Sequence, residues 1–145
     1  MATKSNSDQL NSFLRGEISA VETYVMALEK LDDNSVLRAD LMTNLKSHQD
    51  RVILLQDAVV ASGGTPTDGS GPWGTWSKLV EGTARMLGDK AAISALEEGE
   101  DHGLKDYKAD MGDLDQKWRN LVAQQLLPRQ QQTHNRLSEI KHRMS

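Results

Sequence analysis

Apolar residues recur along the chain with the three- and four-residue steps of amphipathic helices, and hardly any segment alternates as a β-strand does. This pattern predicts four long helices, over about 7–31, 35–62, 90–111 and 114–143. Pro128 falls inside the fourth helix. Because proline lacks a backbone N–H and clashes with the preceding turn, we expect it to kink or divide that helix.

The connection between the second and third helices, about 63–89, is much longer than the other two. It begins with the glycine- and proline-rich GGTPTDGSGPWGTW (63–76), which is non-helical by composition, and continues with a short amphipathic helix over 76–87. Short turns make antiparallel neighbours, and a long crossover lets the helices that it joins lie parallel on opposite corners of a bundle. The sequence therefore predicts a single all-α domain over 1–145, an antiparallel four-helix bundle with a crossover.

Each long helix carries one ionisable residue within its apolar stripe, and these residues are Glu17, His48, Glu100 and His134. A charge buried alone costs several kcal/mol, so a core accepts it only when it is paired or bound to a cation. One such residue would carry little information. Because each of the four helices carries one, and the set comprises two acids and two imidazoles, the pattern predicts a polar layer in the middle of the bundle.

The two acids belong to a repeated phrase, GEISAVETY (16–24) and GEDHGLKDY (99–107). In both copies Gly-Glu is followed by a tyrosine seven residues after the glutamate, so Tyr24 and Tyr107 share the helix face of the acid. Glycine inside a helix is less favourable than alanine by roughly 1 kcal/mol. We therefore expect the glycine of each phrase to permit close helix approach at the polar layer.

The composition of the chain limits the kinds of binding partner that we expect. A net charge of −4 and an isoelectric point near 5.5 argue against nucleic-acid binding. With no cysteine, a metal site would have to use Glu, Asp and His. The first residues lack the apolar core of a signal peptide, no apolar run is long enough to span a bilayer, and no helix has the basic face of a membrane-surface segment. We expect a soluble, cytoplasmic protein without membrane or nucleic-acid partners.

The segment FLRGEISAVETY (13–24) resembles the first-helix motif of rubrerythrins and bacterioferritins, members of the ferritin-like superfamily in which the glutamate ligates iron and the tyrosine lies nearby. A closer resemblance is to an uncharacterised bacterial family of ferritin-like four-helix proteins of unknown function. The features that carry it are SHQDRV (47–52), GGTPTDGS (63–70), Trp76, LEEGEDHGLKDY (96–107) and LLPRQQQTHNRLSEIKH (126–142). The resemblance implies a ferritin-like bundle and places the four ionisable residues at ligand positions.

The chain departs from the ferritin-like pattern in its carboxylates. Ferritin-like di-iron sites have a glutamate three residues before each histidine, where this chain has Leu45 and Gln131. Two glutamates balance one divalent ion, so one Fe or Mn ion is expected rather than two, and a weak dinuclear site that recruits Glu97 or Gln131 stays open. Glu97 and Gln131 are reserve ligands, and Tyr24 and Tyr107 would orient the carboxylates.

Two functions remain open. The first is a ferritin-like Fe- or Mn-binding protein with redox or stress-related chemistry, which rests on the fold analogy. The second is a non-catalytic structural or interaction bundle, for instance a homodimer, in which two protonated histidines and two glutamates form a metal-free network. Both alternatives balance the buried charge equally. The remaining histidines, His102 and His142, are expected at the surface, and Trp73 and Trp76 are expected to anchor the crossover.

Overall fold

The computed structural model describes residues 5–31, 35–71 and 74–144, and within them every regular element is a helix. The elements in chain order are α1 (Asn6–Lys30), α2 (Ser35–Ala61), α3 (Gly74–Leu87), α4 (Asp89–Asp110), a 3-10 turn (Met111–Asp113), α5 (Gln116–Leu121), a π-helical turn (Val122–Leu126) and α6 (Leu127–Arg143). The predicted all-α class is confirmed. Trp73 lies outside the described residues.

The helices begin and end close to the predicted positions. The N-cap of α1 is Ser5, two residues before the predicted start at about residue 7, and its hydroxyl accepts a hydrogen bond from the backbone N–H of Asp8 at 3.1 Å. No helix in the described part of the chain combines the length and apolar character needed to cross a membrane.

The two helix pairs with the most extensive contacts, α1–α2 and α4–α6, are antiparallel. At the open ends of the α1–α2 pair, the hydroxyls of Ser7 and Ser62 lie 2.9 Å apart. In the α4–α6 pair, Ser138 late in α6 donates to Glu97 early in α4 at 2.5 Å. The two pairs meet through α1 with α4 and through α2 with α6.

Helix α3 packs against α1 and α4 and contributes Trp76 and Val80 to the core. A Cβ atom placed on Gly99 of α4 would lie 2.0 Å from two ring atoms of Trp76, and the indole N–H donates to the carbonyl of Ala95 at 3.3 Å. The expected anchoring role of Trp76 is therefore confirmed. Gly99 does permit close approach, but it admits this tryptophan ring of α3 rather than another long helix.

The apolar core forms two clusters, one on each side of a polar layer. One contains Tyr24, Leu41, Trp76, Leu96 and Leu137 among others, and the second contains Leu14, Leu55, Tyr107, Trp118 and Leu126 among others. Apart from Gln9 and Thr23 of α1, the buried polar residues fall between these two sets along each long helix. This arrangement matches the predicted polar layer in the middle of the molecule.

The fourth predicted helix is divided as expected. The backbone N–H of Leu127 bonds to the carbonyl of Val122, five residues back, immediately before Pro128. A π-turn adds a residue to one turn and thereby rotates the following helix face. In α6, after this turn, Gln130 and Thr133 are buried, whereas the side chain of His134, which was predicted to lie on the inward stripe, is 20% exposed.

Candidate functional site: a buried ion-pair network

His48 on α2 lies between two carboxylates from different helices. Its Nδ1 is 2.5 Å from Oε1 of Glu17, and its Nε2 is 2.9 Å from Oε2 of Glu100. Carboxylate oxygens accept hydrogen bonds, so both ring nitrogens donate and the ring is an imidazolium. Burial alone would lower the pKa of His48, but the Glu100 and Glu17 carboxylates raise it above its usual value of 6.5.

Arg51 lies one turn after His48 and is fully buried. Its Nη1 donates to Oε2 of Glu17 at 3.2 Å and also to the side-chain oxygen of Gln130, and its Nη2 donates to the hydroxyl of Thr133 at 3.0 Å. The same Nη2 is 3.2 Å from Nε2 of His48, so the two cations lie next to each other. A fork of donors with fixed geometry explains why arginine, rather than lysine, can occupy this position.

The four buried charges cancel. Glu17 and Glu100 are anions, and His48 and Arg51 are cations. Burial raises the pKa of Glu17, but Arg51 and His48 overcome this effect and hold it at about 2, well below its usual value of 4.5. The pKa of Glu100 is also lowered. Burial raises it, but His48, together with Arg51 and Thr133, lowers it by more than burial raises it. The network is neutral as a whole, which is the condition for burying it.

The repeated phrase has a reciprocal geometry. Tyr107 donates to Oε2 of Glu17 at 2.5 Å, and Tyr24 donates to Oε2 of Glu100 at 3.1 Å. Each tyrosine therefore bonds to the glutamate of the other copy of the phrase. Burial and the adjacent carboxylates raise the pKa of both phenols well above 10, so both remain neutral donors. The expected role of the tyrosines in orienting the carboxylates matches this geometry.

Helix α6 completes the layer with neutral side chains. Thr133 accepts from Arg51 and donates to Oε1 of Glu100 at 2.7 Å. Gln130 donates to the backbone carbonyl of Glu100 at 2.8 Å. Gly103 is opposite Gln130, and a Cβ there would lie 2.8 Å from the Gln130 amide nitrogen. The missing side chain at Gly103 thus provides space for Gln130.

The structure brings together three of the four predicted ligand residues. Glu17, His48 and Glu100 are in direct contact, whereas the side chain of His134 is 20% exposed and its Nε2 lies 3.7 Å from Asp101. His134 is outside the network because Thr133 takes the inward position. His102 and His142 are exposed, as predicted.

The two reserve ligands also lie outside the network. Glu97 accepts hydrogen bonds from Ser138 and Lys141, at 2.5 and 3.2 Å. The Gln131 amide donates to Asn135 at an exposed position, at 2.8 Å. Neither side chain is bonded to the buried carboxylates.

Three residues of the network, Arg51, Gln130 and Thr133, were not predicted from the sequence. A stripe through Leu45, His48 and Val52 has equally good helical spacing, but the buried stripe of α2 runs through Asn44, His48 and Arg51. The balance of buried charge could have identified Arg51 from the sequence. Two buried glutamates need two cations, and Arg51 is the basic residue one turn from His48 within the segment SHQDRV.

The carboxylates are arranged around an imidazole rather than around a common point. Glu17 and Glu100 bind opposite nitrogens of His48, so the ring separates them. Among the residues that the structure describes, no group of three or more His, Asp or Glu side chains has the arrangement of a metal-binding set. The geometry is that of a hydrogen-bonded ion-pair network, and the Fe or Mn site stays a prediction.

Comparison with known proteins places this network in a family. No curated protein and no solved structure matches the chain at a significant level. A family model described as a domain of unknown function, DUF2383, matches residues 5–113. The match contains both glutamates, His48 and Arg51, and it ends before Gln130 and Thr133. Because it covers most of the chain, the protein belongs to the DUF2383 family.

Proposed function

We propose that the chain is a non-catalytic helical protein with a structural or interaction role, and that its buried network works without a metal ion. The observation that carries this proposal is the position of Arg51. Its guanidinium is fully buried and donates to Glu17, Gln130 and Thr133. The Arg51 guanidinium therefore supplies the positive charge that the buried carboxylates would otherwise need from a metal ion.

Charge supports the same conclusion. The imidazolium of His48 and the guanidinium of Arg51 already neutralise the two carboxylates. A divalent ion would add two positive charges to a neutral, buried layer, unless the chain released protons or moved Arg51 away. Buried polar networks of this kind can fix helix register, and this is the structural role that we assign to the layer.

We also propose that the helices form a ferritin-like four-helix bundle. Helix α1 is antiparallel to α4, because Glu17 contacts Tyr107 and Tyr24 contacts Glu100. Since α1 is also antiparallel to α2, α2 and α4 run in the same direction. The long connection that contains α3 joins these two parallel helices. This connectivity supports the crossover predicted from the sequence.

A second candidate function is binding of one Fe or Mn ion. The observation in its favour is the direct contact of three predicted ligand residues, Glu17, His48 and Glu100. In this alternative the metal would displace the protons of His48, and Arg51 would leave the layer. The two candidates make opposite predictions for metal content and for the stability of Arg51 variants.

Metal analysis separates the candidates directly. We expect protein purified from Fe- or Mn-supplemented medium to contain less than about 0.1 metal ion per chain, and we expect a chelator to leave its melting temperature unchanged. Inductively coupled plasma mass spectrometry and thermal unfolding measure the two quantities. Near-stoichiometric metal that is lost in Glu100→Ala would overturn the metal-free proposal and support the second candidate.

The Arg51→Met variant tests the role of the guanidinium itself. It keeps much of the side-chain volume but leaves the two buried carboxylates with His48 as their one cation, so we expect the free energy of unfolding in urea to fall by about 3–5 kcal/mol. The control is Arg85→Met, which removes an exposed pair with Glu81 and should change stability little. Adding Glu17→Gln to Arg51→Met should recover part of the loss. A fully stable Arg51→Met protein would contradict the proposal.

A further inference from the structure

A small pocket lies between α1 and α4 and reaches the buried network. Its volume is about 40 Å³. Glu17, His48 and Gln130 line its inner part, and Asp106, whose side chain is 38% exposed, lines its outer part. The network thus has a connection to the surface that does not require unfolding.

Three aromatic side chains and the backbone of glycine residues form part of the wall of this pocket. Phe13, Trp76 and Tyr107 line it, and Phe13 and Tyr107 pack with their ring centroids 4.7 Å apart. Gly16 and Gly99 also line it and place no side chain in the space between α1 and α4. Aromatic faces attract organic cations through their ring quadrupoles.

The charged side chains of the pocket lining that could attract a ligand are acidic. Asp106 and Asp110 both line it, one turn apart on α4. Its one basic lining residue is His48, and both nitrogens of that ring already face Glu17 and Glu100. Asp106 has an ion-pair contact of 3.9 Å with His102, on the same helix. Among the described residues, no ion pair reaches the carboxylate of Asp110.

The pKa of Asp106 is raised, as expected for a carboxylate that lacks a close positive partner. Burial raises the pKa of Asp106, the nearby Asp110 carboxylate adds to this rise, and His102 opposes it without cancelling it. A cation between the two carboxylates would relieve their mutual repulsion.

Volume limits the size of the ligand. A single water molecule needs roughly 10–15 Å³ of cavity space, so a group of about three or four non-hydrogen atoms fits. Drug-sized ligands use pockets of roughly 300–1,000 Å³ and are excluded. A hydrated divalent ion would gain nothing from the aromatic walls, whereas an ammonium group carrying methyl or methylene groups suits both the walls and the acids.

We propose that the α1–α4 pocket binds a small alkylammonium group, with its charge held by Asp106 and Asp110 and its carbon atoms against Phe13, Trp76 and Tyr107. This ligand class goes beyond the structural role assigned to the ion-pair network. It also does not depend on that role, because the network keeps its own charge balance in the occupied pocket.

The test is a titration with methylammonium chloride followed by ¹H–¹⁵N NMR, with sodium chloride at equal ionic strength as the reference. We expect saturable shifts of the Gly16, Gly99 and Gly103 amides with a dissociation constant of about millimolar, the range for a ligand of so few atoms. The Asp106→Asn/Asp110→Asn variant should bind about tenfold more weakly. The matched control is Asp113→Asn, an exposed acid beyond the end of α4, which should leave binding unchanged.

Two outcomes would overturn the proposal. One is linear shifts equal to those caused by sodium chloride, and the other is equal binding by the wild type and the double variant. A second arm replaces methylammonium with N-acetyl-lysine amide, which presents the same head group on a peptide unit. Tighter binding of this compound supports the proposal with a lysine side chain as the source, and tighter binding of methylammonium supports it with a free amine.

Discussion

The two buried cations come from one helix, whereas the two buried acids come from two. Glu17 and Glu100 occupy equivalent places in the repeated phrase on α1 and α4, but His48 and Arg51 both lie on α2. Helix α6 supplies the uncharged Gln130 and Thr133 at the facing positions. The two-fold repeat of the acids is therefore completed asymmetrically, and the charge of the layer depends on α2.

The pH dependence of stability follows from this charge arrangement. Glu17 has a pKa of about 2 in the folded protein against a usual value of 4.5, so its contribution to stability is present above pH 4.5 and is lost as pH falls toward 2. The pKa of His48 is raised above 6.5, so its contribution is present below pH 6.5 and is lost as pH rises through the raised value. We expect the free energy of unfolding to be greatest between these limits.

Urea unfolding across the pH range measures the loss of stability on the acid side and on the alkaline side. The difference between wild type and Glu17→Gln should shrink by about 3 kcal/mol from pH 5 to pH 2, as a shift of this size implies. His48→Gln should remove the decline on the alkaline side. Parallel pH profiles for the wild type and both variants would show that neither group titrates differently in the folded and unfolded states.

The α3–α4 interface depends on one missing side chain. In Gly99→Ala the new Cβ would lie 2.0 Å from the Trp76 ring, which is buried and bonded to Ala95. We expect a loss of about 1–3 kcal/mol in the free energy of unfolding, the usual cost of overpacking.

Gly82→Ala is the matched control, because it lies within α3 and a Cβ there meets nothing within 4 Å. It should stabilise the protein by about 0.5–1 kcal/mol through helix propensity. Thermal and urea unfolding compare the two variants. Equal stability of Gly99→Ala and the wild type would show that the Trp76 ring moves aside without cost.

The helix positions were predictable because each helix satisfies its own backbone and shows its own apolar stripe. The division before Pro128 was also predictable, from the missing N–H. The π-turn that accompanies it was not. The burial of Thr133 in place of the adjacent His134 was not predictable either, because both positions fit the apolar stripe of α6.

In the molecule as a whole, the polar layer joins the four long helices, and α3 is held differently. The network bonds described above connect α1, α2, α4 and α6, whereas α3 is held through Trp76 and Val80. The outer face of α3 leaves Leu79, Met86 and Leu87 exposed by 60, 82 and 75%. Helix α3 thus has less buried apolar surface to resist local opening.

Native-state hydrogen exchange tests this difference. We expect α3 amides to exchange through local openings of lower free energy than those of α2 around His48 and Arg51, which should require global unfolding. Exchange rates at increasing urea concentration give both the free energy and the size of each opening. Identical values for α2 and α3 would mean that α3 belongs to the same cooperative unit as the long helices.

The amino-acid sequence determined the helices, the connections and the acids of the polar layer, because these depend on local hydrogen bonding, apolar spacing and a repeated phrase. The tertiary structure decided which of two neighbouring residues faces inward: Arg51 rather than Val52, and Thr133 rather than His134. Both choices fit a helical stripe. The rotation of each helix is set by its packing against the others and by the need to balance two buried carboxylates, and neither condition is local to one helix.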